Sequence, residues 1–277
     1  MNAVQGNKDK LILFPPQGVG DVILVCALMK EYKKNNTNKD ISLWIRKKHF
    51  YDLAKFYLAE ICDVIYSQSL SDYSSLENID VKIYAGKTFH DLYVNNKNVK
   101  SMFTKAMNIP EDAPLYYPPM EEIKDDTLSK TILIAPDAIT CPKIIEDDVW
   151  LVLALMLQAK GYEVIFNTDK ENRFDGFQKV FWDIETTVQK VNNMKAVISY
   201  RSGLSDVIGA LCRHTPQYVI YPSKNINAVH FENEKEAVNA YFNFFSIKNA
   251  FDNDLVHEYI FNDNIIETIM GAIDRES

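Results

Sequence analysis

Two short stretches carry residue types and spacings suited to chemistry. In "QGVGD" (residues 17–21), Gly18 and Gly20 stand two apart and Asp21 follows at once, ahead of the apolar run "VILVCALM". In "RSGLSD" (201–206), Arg201 precedes Ser202, Gly203 and Leu204, with Asp206 behind them. Paired glycines of the first kind open phosphate-binding turns, where backbone N–H groups at a helix start meet an anion. The dinucleotide pattern G-x-G-x-x-G wants a third glycine where Ile23 stands, and an acid ending the next strand where Arg46, Lys47 and Lys48 stand. An NADP site could use those bases, but the missing glycine weighs against it, and a P-loop is excluded because no G-K-[ST] follows. Asp21 falls in the first helical turn, where a carboxylate gains about 0.3–1 kcal/mol from the helix dipole and repels a phosphate. It is therefore either a simple helix-start acid or a general base, the latter supported by the rule that ligands of α/β sheets bind beyond strand carboxyl ends.

In "RSGL" the balance of charge is reversed. Gly203 lets the backbone approach a ligand, and the helix that follows points N–H groups at it, as a diphosphate site requires. Arg201 adds a bidentate donor that matches phosphate geometry, or else it pairs with a structural carboxylate such as Asp206.

The elements that position these turns alternate. "LILF" (11–14), "ISLWI" (41–45), "DVIYS" and "VKIYAG" (81–86) have strand character, separated by the helical stretches "DVILVCALMKEYKKNN" and "HFYDLAKFYLA". In the first of these helices Ile23, Leu24, Ala27, Leu28 and Tyr32 share roughly one face. A helical stretch at 98–108 and the proline-rich, acidic "PEDAPLYYPPMEEIKDDTLSK" follow, the latter being the best linker in the chain. A second series then begins. "TILIAP" (131–136) is a strand, "EDDVWLVLALMLQAKGY" a helix ending at Lys160-Gly161, and "YEVIFNT" (162–168) a strand. Residues near 185–193 are helical, "KAVISY" (195–200) is a strand, "RSGLSD" a turn, "VIGALCRH" a helix and "QYVIYPS" (217–223) a strand. "EAVNAYFNFFSI" and "NDNIIETIMGAI" are helical. Two βαβ series predict an α/β protein of two Rossmann-like domains, 1–125 and 126–255, with residues 256–277 as a C-terminal helix that packs back on the first domain.

Composition narrows the class. The 277 residues carry a net charge of −8, against the basic face of a general nucleic-acid binder. The four cysteines, Cys26, Cys62, Cys141 and Cys212, are far apart with no C-x-x-C, and the five histidines are scattered without metal-ligand spacing. Free thiols of a reducing compartment are expected, and no metal. The polar N-terminus lacks a signal-peptide core, and the apolar run after Asp21 is too short to span a bilayer. A cytoplasmic protein is expected, and its 15 Phe and 15 Tyr allow peripheral contact with the inner membrane face.

"QGVGDVILVCALMKEYKK" resembles the N-terminal motif of the heptosyltransferase-like glycosyltransferases, family nine of that class: a glycine turn, an aspartate and an apolar helix. "ILIAPDAITCPKIIEDDVWLVLALMLQAKGYEVIFNTDKE" is similar to their strand, P-G-A-like loop with a lysine, W-containing helix start and strand ending near an acid. "AVISYRSGLSDVIGALC" is similar to their D-S-G-x-x-H segment, with Arg201 where the family has its aspartate, Asp206 where it has its histidine, and Pro136-Asp137-Ala138 as the loop. The surface-polysaccharide branch looks nearest.

The resemblance implies a GT-B arrangement, with the two domains facing each other across a cleft: a glycan or glycolipid acceptor on the first, a nucleotide sugar on the second. It implies an inverting, metal-independent transfer with no cofactor beyond the donor itself. Asp21 would deprotonate the acceptor hydroxyl, with Gly18 and Gly20 forming the acceptor-side loop. Lys143, Glu171, Arg201, Ser202, Gly203 and Leu204 would bind the donor. Lys143 would neutralise the leaving diphosphate, and Glu171 would hold a ribose hydroxyl; their plainer alternatives are a solvated lysine and an exposed loop acid beside Lys170. "DND" (252–254) is the nearest match to a metal-binding DxD pair, and its setting is a polar helix connection. Two other readings stay open: a binding or scaffold protein on a degenerate fold of this kind, motivated by Arg201 and Asp206, and an NAD(P)-dependent oxidoreductase, motivated only by the glycine pair.

Overall fold

The computed structural model describes residues 9–13, 18–67, 79–80, 95–119, 124–138, 141, 144–224 and 231–276. Contacts divide the chain into two compact units, Met1–Thr88 with Lys100–Pro119, and Phe89–Val99 with Met120–Ser277.

The first unit is built on strands β1 (Asp9–Leu13), β2 (Lys39–Ile45), β3 (Asp63–Tyr66) and β4 (Ile79–Asp80), with helices α1 (Val19–Asn35), α2 (Lys48–Leu58) and α3 (Val99–Ala106). All strands pair in parallel in the order β3-β2-β1-β4. Parallel pairing needs helical crossovers, which is why strand and helix periods alternate in the sequence. The stretch 81–86, expected as a strand, lies outside the described residues.

Helix α1 departs from the one-faced pattern. Every residue from Val22 to Met29 is buried, with Val22, Ile23, Cys26, Ala27, Leu28 and Met29 fully so. An eight-residue run without a charge has no polar face to show water, so the helix is enclosed over two turns. One of its covers is the stretch expected as a linker. Tyr116 N–H donates to Ala27 O at 2.8 Å, Tyr57 Oη donates to Tyr116 O at 2.6 Å, and Ile109 and Ala113 are buried. The prolines there do not release the chain, because buried Ala113 and the Tyr116 backbone between them are held on the unit.

The second unit has strands β5 (Thr131–Ala135), β6 (Glu163–Asn167), β7 (Gln178–Val180), β8 (Ala196–Tyr200), β9 (Gln217–Tyr221) and β10 (Val256–Ile260). Its helices are α4 (Asp147–Ala159), α5 (Ile184–Val191), α6 (Gly203–Leu211), α7 (Glu234–Phe244), α8 (Ile247–Phe251) and α9 (Ile265–Arg275). All six strands are parallel, in the order β10-β9-β8-β5-β6-β7. Strands β7 and β10 were not anticipated: "QKV" is only three residues long, and "VHEYI" alternates with charge. Helix α4 ends as expected, with Gly161 at φ +88°, a left-handed position where glycine carries no Cβ penalty.

The core of this unit gathers Ile132, Ile134, Trp150, Leu153, Phe166 and Ile198 with Ile265, Ile269 and Ile273 of the last helix. The C-terminal helix, expected to pack back on the first domain, thus places its apolar face in the second unit's own core. Asp274 pairs with Lys160 at the end of α4 at 2.5 Å.

Each sheet has the order third, second, first, fourth, so the chain reverses direction beside its first strand. In open parallel sheets such a switch point, at the carboxyl ends of the strands, is where ligands bind; it falls between β1 and β4 in one unit and between β5 and β8 in the other. The glycine turn follows β1 and "RSGL" follows β8, so each lies at a switch point. No helix of the described residues is long and apolar enough to cross a membrane.

Candidate functional site

At the carboxyl edge of the first sheet, α1 starts on Gly18 as its N-cap, with no side-chain cap bond. Asp21 is the third helical residue, within the first turn. It is half-buried, and its side chain folds back over the cap. A Cβ on Gly18 would stand 2.7 Å from Asp21 Oδ2 and 3.6 Å from Cγ. A side chain at position 18 would therefore require the Asp21 carboxylate to move. Gly20 lies in the first turn, half-buried. At the same edge, beyond β2, Arg46, Lys47, Lys48 and His49 are exposed. Lys48 pairs with Asp52 at 2.5 Å, and partial burial followed by the neighbouring Lys47 charge lowers the His49 pKa.

At the switch point of the second unit, α6 begins at Gly203 rather than after Asp206, so four residues expected in a turn are helical. Ser202 is the N-cap. Ser205 N–H donates to Ser202 Oγ at 3.4 Å, and Ser202 N–H donates to Ser205 Oγ at 2.9 Å, closing a reciprocal capping box. The first N–H groups of a helix have no acceptor within it. The box takes that of Ser205 and leaves those of Gly203 and Leu204, both half-exposed, at the open end.

Arg201 does not reach outward. Its guanidinium is buried and grips Asp206 with both amino groups, Nη2 to Oδ1 at 2.8 Å and Nη1 to Oδ2 at 2.9 Å. Nη1 also donates to Ser202 O at 2.8 Å. Nε is buried with no hydrogen-bond partner among the described residues, and the rings of Tyr221 and Phe245 lie 5.9 Å from Cζ. Of the two readings open from the sequence, the geometry is that of the carboxylate pair. Burial pushes the Asp206 carboxyl up and Arg201 opposes it; burial also works against the Arg201 charge, but Asp206, with Tyr221 and Tyr241, outweighs it and holds the guanidinium charged. Behind the pair, Glu258 accepts from Tyr221 Oη at 2.5 Å, Ser246 Oγ at 2.6 Å and Ile247 N–H at 2.7 Å. Strands β9 and β10 are thereby tied to the start of α8.

The loop after β5 is held by a network that sequence reasoning missed. Asp137 accepts from Thr168 Oγ1 at 2.8 Å, Arg173 Nη1 at 2.6 Å and Lys170 Nζ at 3.2 Å. Arg173 also grips Asp147 on α4, Nε to Oδ2 at 2.8 Å and Nη2 to Oδ1 at 2.6 Å. Burial alone would raise the Asp137 pKa, but the bonds from Thr168, Arg173 and Lys170 outweigh it and hold it below the usual range. The available signal was Asp137 itself, an acid immediately beyond a buried strand. Glu171 lies in the turn beyond β6, exposed, with its carbonyl accepting from Lys179 Nζ. Lys143 lies outside the described residues.

Asp252-Asn253-Asp254 forms the turn from α8 to β10, at the amino end of that strand and away from the carboxyl edge. Asp252 is left-handed at φ +50°, and buried Asn253 donates to Gly209 O at 2.8 Å. No group of three or more His, Cys, Asp or Glu among the described residues could hold a metal ion. All four cysteines are free. Cys26 and Cys212 are buried, and burial raises both thiols; that of Cys62 is pushed up to about 12.

No family model and no curated protein matches the sequence. Solved structures do match. The chain is similar to the E. coli ADP-heptose lps heptosyltransferase II, at TM-score 0.62 and 13% identity over 96% of this chain and 99% of that one. It is similar to a glycosyl transferase family 9 protein of Veillonella parvula, at TM-score 0.57 and 12% identity over 98% and 93%. It is also similar to E. coli heptosyltransferase WaaC with ADP, at TM-score 0.56 and 9% identity over 97% and 100%. The described residues thus build the α/β fold, with parallel sheets, that these glycosyltransferases share.

Proposed function

We propose that this protein is a glycosyltransferase that moves a sugar from a nucleotide-sugar donor to a glycan or glycolipid acceptor of the lipopolysaccharide type. The observation that supports this most is the likeness to ADP-heptose heptosyltransferase II along nearly the full length of both chains. A shared fold does not by itself carry an activity. The site residues add the chemistry: a carboxylate held over a glycine at one switch point, and a capped helix start with open N–H groups at the other.

In this reading the donor diphosphate lies at the N-terminus of α6, on the N–H groups of Gly203 and Leu204. The negative charge that grows on the leaving diphosphate is met there, with Lys143 as a further point charge and Glu171 on the ribose. Arg201 acts through Asp206: the pair stiffens the turn and keeps its acid from repelling the phosphates. Asp21 accepts the proton of the acceptor hydroxyl as that oxygen attacks the anomeric carbon, and the carbon–diphosphate bond breaks in the same displacement. One displacement inverts the anomeric configuration, and no metal is required. The protein works at the inner membrane face, where such acceptors lie.

Isothermal titration with ADP, UDP, GDP, CMP and NADP tests the donor side. Binding of one nucleoside diphosphate, weakened by Gly203→Pro, is the expected result. Binding of NADP alone would overturn the reading. The buried Arg201–Asp206 pair favours one alternative, a non-catalytic binding protein on the same fold, which predicts no response to any nucleotide.

A further inference from the structure

Helix α4 shows an apolar face to solvent. Trp150, Leu153, Ala154 and Leu157 fill the core with at most 1% exposure. On the opposite side Val152, Leu155 and Met156 are 47%, 57% and 39% exposed, and Ala159 continues the stripe. A helix that is apolar all round is normally covered all round. Asp148, exposed, closes the stripe at one end, and Lys160 closes it at the other.

We propose that this face is a self-association surface that pairs two copies of the chain through antiparallel α4 helices. The charges support a second copy as the occupant. An antiparallel register that sets Val152 against Met156 of the second copy also sets Asp148 against Lys160 of the second copy, because both pairs are centred on the same point of the helix. The pairing repeats by symmetry, as a two-fold interface requires. Lys160 already pairs with Asp274, yet its side chain stays 39% exposed and an ammonium has three donors, so a second carboxylate can reach it. Asp147 is turned away to Arg173, which leaves Asp148 as the outward acid. An anionic lipid surface is the poorer occupant: Glu146, Asp147 and Asp148 flank the stripe, and the chain carries a net charge of −8. Stable interfaces bury about 800 Å² on each partner. One helix face covers only part of that, so the dimer is weak and concentration-dependent.

Sedimentation velocity from about 5 to 500 µM, the range that reads a micromolar equilibrium, tests the proposal. The wild type should shift toward twice the monomer mass, and Leu155→Arg should stay monomeric throughout. Asp148→Lys and Lys160→Glu, each monomeric alone, should associate when mixed, because the mixture restores opposite charges at both ends. Melting curves followed by circular dichroism establish that each variant is folded. A wild type that stays monomeric at the highest concentration overturns the proposal, as does undiminished association of Leu155→Arg or failure of the mixed charge variants to pair. Binding of a monomeric wild type to phosphatidylcholine–phosphatidylglycerol vesicles, lost in Leu155→Arg, would assign the face to lipid instead.

Discussion

The first turns of α1 and α6 both flank the switch point of their sheet, α1 after the first strand of its unit and α6 after the fourth of its own, and they present opposite chemistry. In α1 the cap is a bare glycine, and the acid three residues on bends back into the space above it. The turn shows a carboxylate. In α6 the cap is Ser202, the third helical residue Ser205 completes a box with it, and the acid falls one place later. There it turns inward and is neutralised by Arg201, the residue before the cap. That turn shows N–H groups. A shift of one position in the acid, with a cation placed to receive it, separates a turn that shows a carboxylate from one that shows N–H groups, the kind of helix start that suits an anion.

The largest effect should come from breaking the pair in α6. Asp206→Ala leaves Arg201 buried and uncompensated, and should cost about 3–5 kcal/mol by urea unfolding. Replacing both partners, with Arg201→Met and Asp206→Leu together, should cost far less, because no unpaired charge remains. Equal losses in the single and double variants would show that the ion pair is not what holds the turn.

In α1, Asp21→Asn should lower transfer about 100- to 10,000-fold, the usual range for loss of a general base. Nucleotide affinity should stay unchanged if the donor binds at α6 as proposed. Full activity in Asp21→Asn would leave Asp21 as a helix-start acid and no more. Gly18→Ala keeps the carboxylate but puts a methyl in its place, and should lower the rate about 10- to 100-fold by displacing it. Its unfolding midpoint should barely move.

Smaller effects test the caps and the loops. Ser202→Ala removes the box and should cost about 1 kcal/mol of stability, with weaker nucleotide binding as α6 frays. In the loop after β5, the folded pKa of Asp137 lies below its unfolded value. Its contribution is therefore complete above the unfolded value and is lost as pH falls through the folded one. Urea midpoints should drop on acidification below about pH 4, as expected for a carboxylate paired only in the folded state, and Asp137→Asn should flatten that drop. An unchanged slope in the variant would place the acid sensitivity elsewhere.

The alternation of strand and helix, the doubling of the series and the ends of α1 and α4 were legible in the sequence. They depend on local propensity, hydrophobic period and capping residues, which act within a few positions. Gly18 beside Asp21 was legible as a turn with an acid, and "RSGL" as a helix entry. The tertiary structure decided the rest. Only packing shows that Arg201 is spent on Asp206, because a guanidinium in water favours phosphate and carboxylate alike, and burial chooses between them. Only sheet order brings Asp137, Thr168, Arg173 and Asp147 together, across loops that are distant in sequence. Only the core decides that residues 110–119 cover α1 and that the last helix belongs to the second unit. Local chemistry determined what each turn can offer; the folded chain determined what each side chain is already holding.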